Sequence, residues 1–135
     1  DVDLSMRAQL QKKSIWLSHT AIVYHAINHT ADKIPGFGRE MAIRNSIYLF
    51  WRDLPSSIQW KVFWHFLYAN WRLSAATAIK GYPYKVLRAH FTALFKTPKL
   101  LRARKQIQGS RKMSETDFEK MLSPANPFKT LKDRR

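Results

Sequence analysis

Cysteine is absent from the 135 residues, which excludes a disulfide framework and any Cys-ligated metal site and is compatible with a reducing compartment. Acidic residues are scarce: nine Asp and Glu stand against 24 Lys and Arg, for a formal net charge of +15. The scarcity is local. Up to Pro35 the charges nearly cancel, with Asp1, Asp3 and Asp32 against Arg7, Lys12, Lys13 and Lys33, whereas no acidic residue occurs from Leu54 to Ser114. That half suits an anionic surface. Long apolar runs are missing too. The longest uncharged span of the most aromatic stretch, Val62 to Trp71, covers about ten residues where crossing a bilayer takes about 20. There is no internal repeat and no low-complexity tract. No initiating Met opens the chain, so Asp1 reads as an internal cut.

What is present is 45% hydrophobic residues, with 13% aromatics gathered mainly between Trp51 and Phe95. Asp3 can cap a helix running from Leu4 to Lys12. Two β-type runs follow, Ser14 to Ser18 and Ala21 to His25, too short to form a sheet without partner strands from elsewhere. Turn residues from Ala26 to Gly38 close this part. A helix is then expected from Phe37 or Arg39 to Asp53, stopped by Leu54-Pro55, and a second from Ile58 to about Lys80, stopped by Gly81-Tyr82-Pro83. Pro83 opens a third, Thr97-Pro98 interrupts it, and a basic helix covers Lys99 to Lys112. A last short helix begins at Ser114-Glu115-Thr116-Asp117 and ends near Leu122, followed by a tail.

Three places in this order, Asp1-Val2-Asp3-Leu4-Ser5-Met6-Arg7, Ala21-Ile22-Val23-Tyr24-His25 and Arg44-Asn45-Ser46-Ile47-Tyr48, resemble the C-terminal part of bacterial family-two glycosyltransferases. Within that family they are most similar to inverting enzymes of rhamnosyl and galactofuranosyl transfer. The resemblance implies a mainly α chain with a small β remnant. Residues 1–36 would end an incomplete α/β GT-A domain, 37–122 would form a helical extension of about four to five helices, and 123–135 would be a flexible tail. It makes Asp1 the general base on an acceptor hydroxyl, a group that needs its proton removed during attack. It makes His25 one ligand of a divalent ion, Mg or Mn, whose charge offsets that of the leaving diphosphate. Asp3 and Arg7 would shape the site, and Arg44 and Asn45 would serve interdomain or substrate contact.

The implied partners are a nucleotide-sugar donor and a cell-surface glycan acceptor, at the inner face of the bacterial plasma membrane. Donor-binding strands and an Asp-x-Asp motif are expected upstream, so the 135 residues alone are expected to be inactive. The chain departs from the family pattern at Lys12-Lys13-Ser14, where Gly and an aromatic are common, and at Ser18-His19, where a Pro precedes the second strand.

Each residue also has a plainer reading. Asp3 can be only a helix cap, His25 a hydrogen-bonded imidazole, and Arg44 and Asn45 partners of nearby carboxylates or turns. His19, His29, His65 and His90 are read as structural. Trp60, Trp64 and Trp71 suit a helix–helix core or a membrane face equally. With Lys61, Arg72, Lys99, Arg102, Arg104 and Lys105 they form a candidate membrane or anionic surface. The alternative to an enzyme fragment is a stand-alone basic helical module that binds nucleic acid, although no nucleic-acid-binding motif occurs; a third reading is a helical partner of a larger complex. The pattern is equally compatible with a homo-oligomer.

Overall fold

A computed structural model describes residues 2–16, 18–22, 24 and 33–122. Five helices make up the order: α1 (Val2–Leu10), α2 (Phe37–Arg52), α3 (Ser56–Ile79), α4 (Pro83–Gly109) and α5 (Glu115–Met121). The chain is mainly α, as expected. Among the described residues there is no strand, which corrects the expected β remnant at Ser14 to Ser18 and Ala21 to His25. Trp16, Ile22 and Tyr24 are exposed in non-regular backbone. Short β-prone runs need a hydrogen-bonded neighbour to become strands, and the described chain offers none.

Local chemistry sets the helix ends. Gly81 at φ 90° supplies the left-handed residue that closes α3, with Gly81 N–H donating to the Ala78 carbonyl and Tyr82 N–H to that of Thr77. Pro83 then begins α4 at a position where a missing N–H costs nothing. Ser114 caps α5 by accepting a bond from the Asp117 N–H at 3.1 Å. Gly36 at φ 73° precedes α2, and a Cβ there would meet the Tyr82 ring at 2.9 Å, so the turn requires glycine.

Two expectations change. Asp3 lies inside the first turn of α1 rather than at its cap. Thr97-Pro98 does not interrupt α4, which runs through Pro98 for 27 residues. Proline removes one intrahelical bond and ordinarily breaks a helix. Here α4 packs more extensively on α2 than any other pair of helices, and it buries Ala89 and Ala93 before Pro98 and Leu100 after it. Packing on both sides outweighs the local cost. Pro98 itself is exposed, where water can solvate the carbonyl left without a donor, and the Thr97 hydroxyl donates to the Ala93 carbonyl at 3.1 Å.

The small core joins distant parts of the chain. Leu10, Ile58 and Phe118 are fully enclosed, with Met6, Leu54, Val62, Ile107 and Met113 around them. The end of α1 is fastened by its backbone as well: the N–H groups of Lys112 and Met113 both donate to the Leu10 carbonyl at 3.0 Å. Elsewhere α2 and α4 are tied by a buried ion pair, Glu40 with Lys85 at 3.1 Å, extended outward to Arg88 at 3.1 Å.

Candidate active-site cleft

Two of the three family-like segments meet in space. Val2 and Asp3 of α1 and Asn45, Tyr48, Leu49 and Arg52 of α2 line one open cleft of about 360 Å³. The residues of α2 come from one helical face, since 45, 48, 49 and 52 recur at i, i+3, i+4 and i+7. The cleft exists because α2 presents this face to α1.

Its rim is a chain of ion pairs. Arg7 donates to both oxygens of Asp3, at 3.0 and 3.3 Å, across one helical turn. Arg52 reaches the same Asp3 carboxylate from α2 and grips Asp53 with two further bonds, at 2.8 and 2.9 Å. The Asp53 side chain is fully buried. Burial pushes its carboxyl above the ordinary range, and Arg52 pulls it back down. The Arg52 guanidinium is in turn raised, first by its bond to Asp53. The two bidentate pairs, Arg7–Asp3 within α1 and Arg52–Asp53 at the end of α2, fix each carboxylate locally, and the single Arg52–Asp3 bond joins the first turn of α1 to α2.

The other cleft residues are less engaged. Asn45 is exposed, and its Oδ1 accepts weak bonds from Arg44 at 3.4 Å. The Arg44 guanidinium lies 5.5 Å from the Tyr48 ring centre. The Tyr48 hydroxyl is buried and has no hydrogen-bond partner among the described residues. The exposed Asn45 amide and the paired Asp3 carboxylate beside apolar Val2 and Leu49 give the cleft an apolar wall with a few polar groups. Tyr48 entered only as the last residue of the Arg-Asn segment, and Arg52 and Asp53 carried no signal as site residues; Arg52 reaches the cleft from the helical face that also carries Asn45.

Asp1 and His25, the expected base and metal ligand, lie outside the described residues. Among the described residues no three His, Cys, Asp or Glu side chains converge on a cation site, and Asp3 is committed to two guanidiniums. The described residues alone therefore do not fit a divalent ion.

The candidate anionic surface divides. Arg104 is turned inward, donating to the carbonyls of Trp51 and Leu54 and to the Ser56 hydroxyl at 2.7 to 3.0 Å, and burial lowers its pKa. It braces the α2–α3 turn. Lys61 pairs with Glu119 at 2.7 Å. Lys99, Arg102 and Lys105 are exposed on α4, as are Trp60, Trp64, Trp71 and Arg72 on α3. No helix among the described residues is long and apolar enough to cross a membrane. No protein-family model, curated protein or solved structure matches the chain.

Proposed function

We propose that this chain is the C-terminal part of a metal-dependent inverting glycosyltransferase of the family-two, GT-A type, working at the inner face of the bacterial plasma membrane. The observation that supports the reading best is the cleft. Asp3, in the Asp-Val-Asp-Leu-Ser-Met-Arg segment, and Asn45, in the Arg-Asn segment, share one opening although 42 positions separate them. Arg52 ties the helix that follows Asp1 to the helix carrying Asn45.

A second observation supports the correspondence at a point of departure. Lys12 adopts φ 56°, the left-handed conformation that glycine supplies most easily, at the place where the family commonly has Gly. Lys13 N–H donates to the Ala8 carbonyl at 2.9 Å and Lys12 N–H to that of Gln9 at 2.8 Å, the usual bonds around a glycine at a helix end. The residue differs from glycine, and the backbone takes a conformation that glycine favours.

On this reading Asp1 takes the proton of the acceptor hydroxyl. His25 contributes one ligand to a divalent ion whose other ligands lie outside these residues. Asn45 orients the acceptor in the cleft, against the apolar wall of Val2 and Leu49. The test joins the chain to the residues encoded upstream of Asp1 and measures sugar transfer from nucleotide sugars to extracted membrane acceptors. Asp1→Asn is expected to lower kcat by about 10²–10⁴-fold, the usual share of a general base. Failure of the joined protein to bind any nucleotide sugar sinks the proposal, and transfer by the 135 residues alone sinks the view that they are a fragment.

A further inference from the structure

The α3–α4 hairpin turns large apolar side chains outward. Trp60, Trp64, Leu67 and Trp71 recur at i, i+4, i+7 and i+11, a single stripe along α3, with exposures of 77, 75, 40 and 65%. Two neighbouring grooves carry this stripe across to α4. Leu67 and Leu94 border one of about 330 Å³, and Trp60 and Leu101 border another of about 180 Å³. The Trp51 ring of α2 lines both, so the apolar face is continuous over three helices. Contiguous exposed patches of this kind mark interaction surfaces.

Charge selects what covers the face. Lys105 continues the Leu94–Leu101 row one turn further along α4, with Arg102 on the flank beside it and Lys99 about a third of a turn round the helix, all three exposed. Arg72 follows Trp71 on α3, its guanidinium 5.8 Å from the Tyr68 ring centre. Among the described residues none of these four cations has a carboxylate partner. A second copy of the chain would set this cationic face against itself. A nucleic acid would find the cations, but Leu67, Leu94 and Leu101 interleave the rings and give bases nothing to stack on. Tryptophan beside leucine, bordered by lysine and arginine, is the composition that the headgroup boundary of a bilayer accepts.

We infer that this face docks on an anionic phospholipid bilayer, with α3 and α4 lying in the plane of the headgroups. Trp60, Trp64 and Trp71 enter the acyl boundary, and Lys99, Arg102, Lys105 and Arg72 meet lipid phosphates. The inference does not rest on the transferase reading; a catalytically inert chain would dock in the same way.

The test is flotation of the purified chain with vesicles of phosphatidylglycerol and phosphatidylcholine against vesicles of phosphatidylcholine alone. Binding is expected only to the anionic vesicles, weakened by salt, with tryptophan emission quenched by brominated acyl chains. Lys99→Ser/Arg102→Ser/Lys105→Ser is expected to lose about 100-fold in affinity, from about 1 kcal/mol per cation near the surface. Trp60→Ser/Trp64→Ser is expected to lose at least about 100-fold, from about 1.5 kcal/mol or more for each large apolar side chain no longer buried, with circular dichroism unchanged in both variants. Equal binding to neutral vesicles, no vesicle binding, or tight RNA or DNA binding without vesicle binding would each overturn the inference. So would a stable dimer whose tryptophans are shielded from an aqueous quencher.

Discussion

Where α1 meets α2, α3 and α5, charges are paired and apolar side chains are enclosed: Asp3 and Asp53 share Arg52, and Leu10, Ile58 and Phe118 are within 1% of complete burial. On the α3–α4 hairpin the pattern reverses. Lys99, Arg102 and Lys105 stand without carboxylates among the described residues, while Trp60, Trp64 and Phe95 are at least 75% exposed. Both regions are helical and both are aromatic or apolar in sequence, so hydrophobicity alone does not distinguish them. What does is the supply of acidic residues. The first region has its own carboxylates and closes upon itself; the second has none between Leu54 and Ser114, so Lys61, Lys85 and Arg88 take theirs from α5 and α2, and Lys99, Arg102 and Lys105 have none among the described residues.

If that contrast is right, substitutions in the first region are felt as stability. Phe118→Ala is expected to cost the most, about 3–5 kcal/mol, since it empties the small core shared by α1, α3 and α5. A urea denaturation curve measures it, and a loss below about 1 kcal/mol would mean that the first region is not closed in solution. Arg52→Ala comes next, at about 3 kcal/mol, because it leaves the buried Asp53 carboxylate without its guanidinium. Arg52→Ala with Asp53→Asn is expected to recover much of that loss. If the double variant is no better than the single one, the cost lies in helix packing and not in the unpaired charge.

Much of this organisation was legible in the sequence, for identifiable reasons. The starts and stops of α2, α3 and α5 follow from Gly36, Pro55, Gly81-Tyr82-Pro83 and Ser114, whose effects are local and do not depend on what packs nearby. The boundary at Thr97-Pro98 was misleading because a local signal was overridden by non-local packing: Ala89, Ala93 and Leu100 are buried on either side of it. The strands expected at Ser14 to Ser18 and Ala21 to His25 are absent among the described residues for the complementary reason, since β-propensity without a neighbouring strand fixes nothing. In the cleft, Asp3 and Asn45 carried motifs, but Arg52 and Asp53 read only as the end of a helix. Their roles depend on α1 docking 49 positions away, which periodicity does not report. Arg104 belonged in sequence to a basic run and in space to the carbonyls that end α2.

A smaller effect sharpens how the first region is held. Lys12 sits at φ 56°, where an L side chain with a Cβ carries strain of about 1 kcal/mol relative to glycine. Lys12→Gly is expected to stabilise the protein by about 0.5 kcal/mol, the relief of strain being partly offset by greater freedom of the unfolded chain. The midpoint of thermal unfolding measures the shift. A destabilisation instead would mean that the α1 terminus is not held in the left-handed form.

The smallest expected stability change tests the other half of the comparison. Trp60→Ser/Trp64→Ser removes two of the largest side chains in the protein, and from either one buried in a core a loss of about 3–5 kcal/mol would follow. Both rings are three-quarters exposed, and Trp64 touches Phe63 edge-on with ring centres 5.3 Å apart while Trp60 lies 6.0 Å from the same ring. Those contacts are modest, and the serine hydroxyls would be solvated, so the change in unfolding free energy is expected to stay within about 0.5 kcal/mol, the range for surface substitutions. Urea denaturation in the absence of lipid measures it. A loss near the core value would show that the tryptophans are covered in the free protein, by a second copy or by a rearranged α3, and the contrast between a closed region and an outward-facing one would fail at its clearest point.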